Sequence, residues 1–178
     1  MTQNIASATM KGIEADIAYK PTDQLELSTA FTIIDAQSDV DVPFGDTGQI
    51  AVSKGERLPT VADFKLSASA QYTTPMTMFG RDAEGVARFD FTHNGESTNG
   101  IPGSLLLFNH PTGIPDTQSS YNLGNLSFGL NVEDYEISLK INNVWDERAQ
   151  LFIHPRFNDN RVVTNTPRNI TFGVRKNF

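Results

Sequence analysis

Apolar and polar residues alternate through the last stretch of the chain. Ile170, Phe172, Val174 and Phe178 fall on one side of an extended segment, and Asn169, Thr171, Gly173, Arg175 and Asn177 on the other, because successive strand side chains point to opposite faces. One such strand suits a soluble sandwich as well as a membrane barrel, so the repetition of the pattern decides. Ile13, Ala15, Ile17 and Tyr19 alternate with Glu14, Asp16, Ala18 and Lys20, and Leu25, Leu27, Thr29, Phe31 and Ile33 with Glu26, Ser28, Ala30 and Thr32. Phe64, Leu66, Ala68, Ala70 and Tyr72 oppose Asp63, Lys65, Ser67, Ser69 and Gln71, and Ala87, Phe89 and Phe91 oppose Arg88, Asp90 and Thr92. Leu126, Phe128, Leu130 and Val132 oppose Asn125, Ser127, Gly129 and Asn131, and Tyr135, Ile137, Leu139 and Ile141 oppose Glu136, Ser138, Lys140 and Asn142. With the terminal strand this makes about seven strands, each near the roughly 9 to 11 residues that cross a bilayer at a tilt. No stretch carries a helical period.

The spacing of these strands predicts alternating short and long connections. Residues 21–24, 74–85 and 133–134 are the short ones. The long ones run from about 36 to 60, 94 to 120 and 146 to 166 and are rich in Asp, Asn, Gly, Pro and Ser. Short periplasmic turns and long outer loops are the layout of an outer-membrane barrel. Tyr19, Tyr72, Tyr135 and Phe178 fall on the short-turn side at strand ends, which predicts a periplasmic aromatic girdle. The fold class expected is therefore all-β, an antiparallel transmembrane β-barrel segment.

Composition changes this picture little. A mean hydropathy of -0.32 with 38% hydrophobic residues suits a barrel in which only alternate residues meet lipid, and no apolar run reaches the length of a membrane helix. The chain has no cysteine, which excludes disulfides and thiolate metal sites. A net charge of -7 argues against a nucleic-acid partner. Met1 to Ala8 lacks the cationic and apolar regions of a signal peptide. An odd strand count leaves the first and last strands parallel, whereas an antiparallel barrel closes with an even number. The expectation is the C-terminal part of a longer protein, with Met1 an internal or misassigned start.

Several short motifs follow one another in a telling order. Gly12-Ile13-Glu14 precedes Pro21 and Ile34-Asp35-Ala36; Gly55-Glu56-Arg57-Leu58-Pro59 precedes Phe64-Lys65; Asn143-Val144-Trp145-Asp146 is followed by Arg148; Pro167-Arg168 precedes Gly173 and Phe178. In that order they resemble the C-terminal barrel of TonB-dependent outer-membrane receptors over essentially the whole chain. Ala62 departs from the resemblance, since many members carry a second proline there. The resemblance implies part of a plugged barrel of about 22 strands in the outer membrane of a Gram-negative bacterium. It implies uptake of a scarce nutrient, an iron-siderophore foremost and a saccharide or cobalamin otherwise. The implied partners are outer-membrane lipid, the barrel-insertion machinery, a small-molecule ligand, and the energy-coupling protein TonB through an N-terminal region not recognisable in this sequence. It also makes Ile170, Phe172, Val174 and Phe178 a barrel assembly signal. A small autonomous outer-membrane barrel with a structural or adhesive role is the alternative.

The motifs also have readings independent of any family. Gly55 supplies unusual backbone angles at the end of a long loop, and Pro59 favours an extended entry into the next strand. Asn142 and Asn143 place amides where a strand gives way to a loop, and Trp145 suits the outer interface.

Catalytic spacing is lacking, and the chain is read as a non-enzyme without a cofactor. His93, His110 and His154 sit in three different outer segments without metal-ligand spacing. Asp35, Asp39, Asp41 and Asp46 crowd one loop but lack the calcium-loop pattern D-x-[DN]-x-[DN]-G-x5-E, which favours a solvated acidic loop over a calcium site. The most ligand-like stretch is Phe152, His154, Arg156, Phe157, Asn158 and Arg161. Aromatic rings with arginine can grip an anionic chelate or a sugar by stacking and bidentate hydrogen bonds, although packing on neighbouring loops explains the same residues.

Overall fold

The computed structural model describes residues 7–43, 50–100, 116–154 and 161–177, and every regular element in them is a strand. In chain order these are β1 (Ala8–Tyr19), β2 (Leu25–Ser38), β3 (Val42–Pro43), β4 (Ile50–Val52), β5 (Phe64–Met78), β6 (Arg81–Asn94) and β7 (Ser97–Thr98). They continue with β8 (Thr117–Gln118), β9 (Tyr121–Val132), β10 (Tyr135–Asn142), β11 (Gln150–Ile153), β12 (Val162–Thr164) and β13 (Asn169–Lys176). Seven of them form one antiparallel sheet in the order β1-β2-β5-β6-β9-β10-β13. The pairs β3–β4, β7–β8 and β11–β12 form two-stranded ribbons within the long connections.

Cross-strand partners share a face, so the register turns the alternation of each strand into two continuous surfaces. Ile13 faces Ile33, Phe31 faces Leu66, and Phe128, Leu139 and Phe172 follow one another across β9, β10 and β13. On the opposite surface Ser28 faces Ser69, Gln71 faces Arg88, Asp90 faces Asn125, and Ser127, Lys140 and Thr171 run in a row. Ser28 and Ser69 share a hydrogen bond of 2.8 Å, and Arg88 Nη2 lies 2.6 Å from Asp90 Oδ1.

The apolar surface is bare: Ile13 is 65% exposed and Phe172 68%. Among the described residues the buried hydrophobics are Ala36, Val42, Val52, Ala62, Ala149 and Ile153. All six lie in the long connections or at the strand ends that meet them, so among the described residues no second layer covers this sheet in the way that gives a soluble sandwich its core.

The short connection expected over residues 74–85 is not a loop. β5 and β6 stay paired from Lys65↔Asn94 down to Met78↔Arg81, and only Phe79 and Gly80 form the turn, both at positive φ (53° and 75°), as a two-residue hairpin turn requires. Pro75 and the absence of apolar alternation made this stretch read as a break. Thr73 N–H donates to Gln24 O at 2.8 Å, and β2 ends its pairing with β5 at Leu25↔Tyr72. Two residues on, the nitrogen of Pro75 points to the same side, where no strand remains to accept a bond, so proline costs the ladder nothing. Tyr72 consequently lies inside β5, at its last rung with β2, rather than at a strand end.

Candidate functional site

The ligand-like stretch folds as an arm. β11 and β12 pair through Phe152↔Val163 and Ile153↔Val162, with a register shift between Gln150 and Phe152, and His154 N–H donates to Arg161 O at 2.9 Å. The rings of Phe152 and His154 meet edge to face, centroids 6.1 Å apart. Three of the expected residues, Phe152, His154 and Arg161, are thus gathered at one end of a ribbon. Arg156, Phe157 and Asn158 lie outside the described residues.

The arm rises from a foot built of side-chain bonds to backbone. Asn143 follows β10 at φ 54°, a left-handed conformation that asparagine tolerates better than most residues. Its N–H donates to Asn125 Oδ1 at 2.9 Å; its Nδ2 donates to Glu147 O at 2.9 Å and Thr166 O at 3.1 Å; its Oδ1 accepts from Glu147 N–H at 2.9 Å. Only 5% of the residue is exposed, and every donor and acceptor of the amide is used. Asp146, also left-handed, accepts Arg168 N–H at 2.9 Å and lies 3.7 Å from Arg148. The Arg168 backbone bond, aided by the charges of Arg148 and Arg168, holds the Asp146 carboxyl below its ordinary value of 3.8. Asn165 Oδ1 accepts Ala149 N–H at 2.9 Å.

Trp145 lies on the apolar surface against β6 and β9. It meets Phe89 and Phe91 edge to face at 6.3 and 6.0 Å, and a Cβ added to Gly124 would stand 2.5 Å from its ring. Glycine is needed there for the close approach. Sequence reasoning placed amides at Asn142 and Asn143 and an aromatic at Trp145, but it missed the tie from Asn143 to Thr166 O, because Thr166 is far away in the chain.

The acidic carboxylates disperse into separate local bonds. Asp35 accepts from Gln37 Nε2, Asp39 from Ser7 Oγ, and Asp41 from Lys54 N–H. The Asp39 carboxyl is pulled below its ordinary value by hydrogen bonds first from Thr9 and then from Ser7, with Lys54 and Lys11 adding to the effect. Asp46 is outside the described residues, among which no group of three His, Asp or Glu side chains could hold a metal. His93 Nδ1 and Asn122 Oδ1 share a 2.8 Å hydrogen bond beside Phe64, and His110 is outside the described residues. Gly55, at φ 84°, donates its N–H to Ser38 O, and Leu58 N–H reaches Ala36 O, so this motif zips along the upper end of β2.

Tyr19, Tyr72 and Tyr135 are all exposed on the apolar face. They do not share a ladder row: Tyr19 leads through Leu27 to Ala70, two residues before Tyr72, and Tyr135 leads through Val132 and Ala83 to Met76, four residues after it. Ile170, Phe172 and Val174 are exposed on β13, an edge strand, and Phe178 lies outside the described residues.

Comparison with known proteins gives a family. Residues 1–144 match the family described as TonB dependent receptor-like, beta-barrel. No curated protein matches. Among solved structures, the ferric yersiniabactin uptake receptor FyuA from Yersinia pestis is similar, with a TM-score of 0.71 and 16% identity over 96% of this chain and 24% of that one. The siderophore receptor PiuA from Acinetobacter baumannii gives a TM-score of 0.67 and 14% identity over 94% of this chain and 21% of that one. FpvAI, solved in complex with pyocin S2, gives 0.63 and 18% identity over 96% and 19%. The chain therefore spans about a quarter or less of the length of these structures.

Proposed function

The chain belongs to the TonB-dependent receptor-like β-barrel family, and from that premise we propose that it forms one wall of a plugged outer-membrane receptor that captures a scarce nutrient and passes it inward under TonB. The observation that carries this reading is an open seven-stranded sheet with one bare apolar face, a surface that is stable against lipid and costly against water. β1 and β13 run in the same direction, so they do not close on each other in an antiparallel barrel. The stepped positions of Tyr19, Tyr72 and Tyr135 suit strands tilted by about 35–45°, since a level girdle crosses such strands at successively lower residues. That supports their role on the periplasmic rim, with the long connections outside the cell.

An iron-siderophore is the preferred substrate class. FyuA is by name a ferric yersiniabactin uptake receptor and PiuA a siderophore receptor, and the arm offers Phe152, His154 and Arg161, with Arg156 and Phe157 between them in the chain, to an anionic ferric chelate. Saccharide and cobalamin remain the other classes. Iron-starved cells with and without the gene should be offered labelled iron as hydroxamate, catecholate and carboxylate chelates, beside labelled cobalamin and maltodextrin. The expected result is gene-dependent and TonB-dependent uptake of one ferric chelate. Gene-dependent uptake of cobalamin or maltodextrin instead would change the substrate class, and TonB-independent behaviour throughout would remove the transport reading.

A further inference from the structure

We propose that Asn143 is the positioning residue of the β11–β12 arm: one buried amide binds both ends of the arm to the sheet and so sets where Phe152, His154 and Arg161 are presented. Its Nδ2 reaches Glu147 O, where the connection leaves the sheet, and Thr166 O, where it returns. Its own N–H is fixed to Asn125 on β9, so the two feet and the wall converge on a single residue. Asp146 and Asn165 each add one such bond, to Arg168 and Ala149 respectively, and neither spans both feet and the wall.

The chemistry of the position excludes substitutes. Two donors and one acceptor are used at once, so aspartate loses both Nδ2 bonds and alanine loses all three side-chain bonds as well as suffering at φ 54°. Glycine keeps the backbone and removes the amide alone. The wall does not depend on this residue, because β10 and β13 pair from Tyr135↔Lys176 to Asn142↔Asn169 without it. Loss of Asn143 should therefore loosen the arm, which keeps the Asp146–Arg168, Asn165–Ala149 and Arg168–Val144 bonds, and leave the sheet intact. What the arm presents its residues to rests on the receptor reading above; its fixed orientation does not.

The chain contains no cysteine, so each label site within it is introduced by substitution, in the membrane-inserted protein with any cysteine outside this chain replaced by serine. One label pair, Val163→Cys on β12 with Ile33→Cys on β2, joins arm to wall at positions 55% and 49% exposed. A second, Ile33→Cys with Phe172→Cys, joins wall to wall. Asn143→Gly should broaden the arm-to-wall distance distribution about twofold or more, as expected when a fixed segment gains loop motion. Asn143→Asp should give an intermediate width. Asn142→Ala, which removes only the Asn142–Asn169 side-chain bond, should change neither pair. An unchanged arm-to-wall width in Asn143→Gly overturns the proposal, and so does equal broadening of the wall-to-wall pair, which would make Asn143 an ordinary structural residue. Should Asn143→Gly fail to insert, Asn143→Asp decides on the same two criteria. No ligand enters the measurement, so its failure is separate from failure of the receptor reading.

Discussion

The sheet and the foot of the arm meet at Asn142 and Asn143, yet they are held by opposite means. In the sheet, order is spread over many rungs: each residue adds a place in the ladder and one side chain to one of two faces, and few side chains are buried. In the foot there is no ladder. Backbone groups of Glu147, Ala149, Thr166 and Arg168 must still be satisfied, and the side chains of Asn143, Asn165 and Asp146 do it. A distributed structure is sensitive to which face a substitution enters; a concentrated one is sensitive to which residue is lost.

The largest effect expected is on the sheet. Leu139→Arg places a charge on the apolar face between Phe128 and Phe172 and should cost roughly 2–4 kcal/mol near the bilayer midplane. Ser138→Arg, one residue away, enters the polar face between Gly129 and Gly173, whose lack of side chains leaves room, and should cost little. Denaturant titration of the protein in bilayers measures both. Equal costs would show that the two faces have been assigned the wrong way round.

The same contrast explains what could be read in advance. The seven strands were legible because a period of two repeats within each of them, whatever lies elsewhere in the chain. The ribbons β3–β4, β7–β8 and β11–β12 are two to four residues per strand, too short to carry a period. The continuation of β5 beyond Tyr72 was hidden by Pro75 and by a turn that places Phe79 at φ 53°, where a bulky residue is disfavoured. At the foot, the amides were legible as residue types, but their partner Thr166 depends on how the long connection returns. Phe152, His154 and Arg161 were singled out as neighbours along the chain; what brings them together is the ribbon pairing, for which the sequence has no local signal.

Where sheet and foot touch, the comparison can be sharpened by coupling. Gly124→Ala pushes a methyl group into Trp145 and should cost about 1–3 kcal/mol, as overpacking does. In a Trp145→Ala background the clash is gone and most of that cost should vanish, giving a coupling of about 1 kcal/mol or more. Additive costs would mean that Trp145 does not rest on β9 and that foot and sheet are independent there.

Acid should act on the foot before the wall. The Asp146 carboxyl is held below its ordinary value of 3.8 chiefly by Arg168 N–H. A folded value below the unfolded one means stabilisation that is fully present above 3.8 and is lost as pH falls through the folded value. The arm-to-wall spin-label distribution should broaden on acidification below 3.8 while the wall-to-wall pair holds. Asp146→Asn should remove most of that pH dependence; its persistence would assign the effect to another group.

The smallest effect on the finished fold is expected from deleting Phe178, two residues along the sequence from the end of β13 at Lys176. Its loss removes no rung of the sheet, whose last pair is Tyr135↔Lys176, and the energy lost with it should be slight. Its expected role is earlier. Ile170, Phe172 and Val174 leave the apolar face of an edge strand bare, and we propose that this strand, followed by Phe178, is a signal for the insertion machinery. A distributed wall should therefore depend on its last residue while it is being assembled and very little afterwards. Deletion should lower the amount of receptor in the outer membrane at normal expression, while the fraction already inserted unfolds at nearly the same denaturant concentration as before. Unchanged abundance would make Phe178 ordinary strand composition. A large loss of stability with full abundance would reverse the argument, because the wall would then depend on a concentrated site of its own.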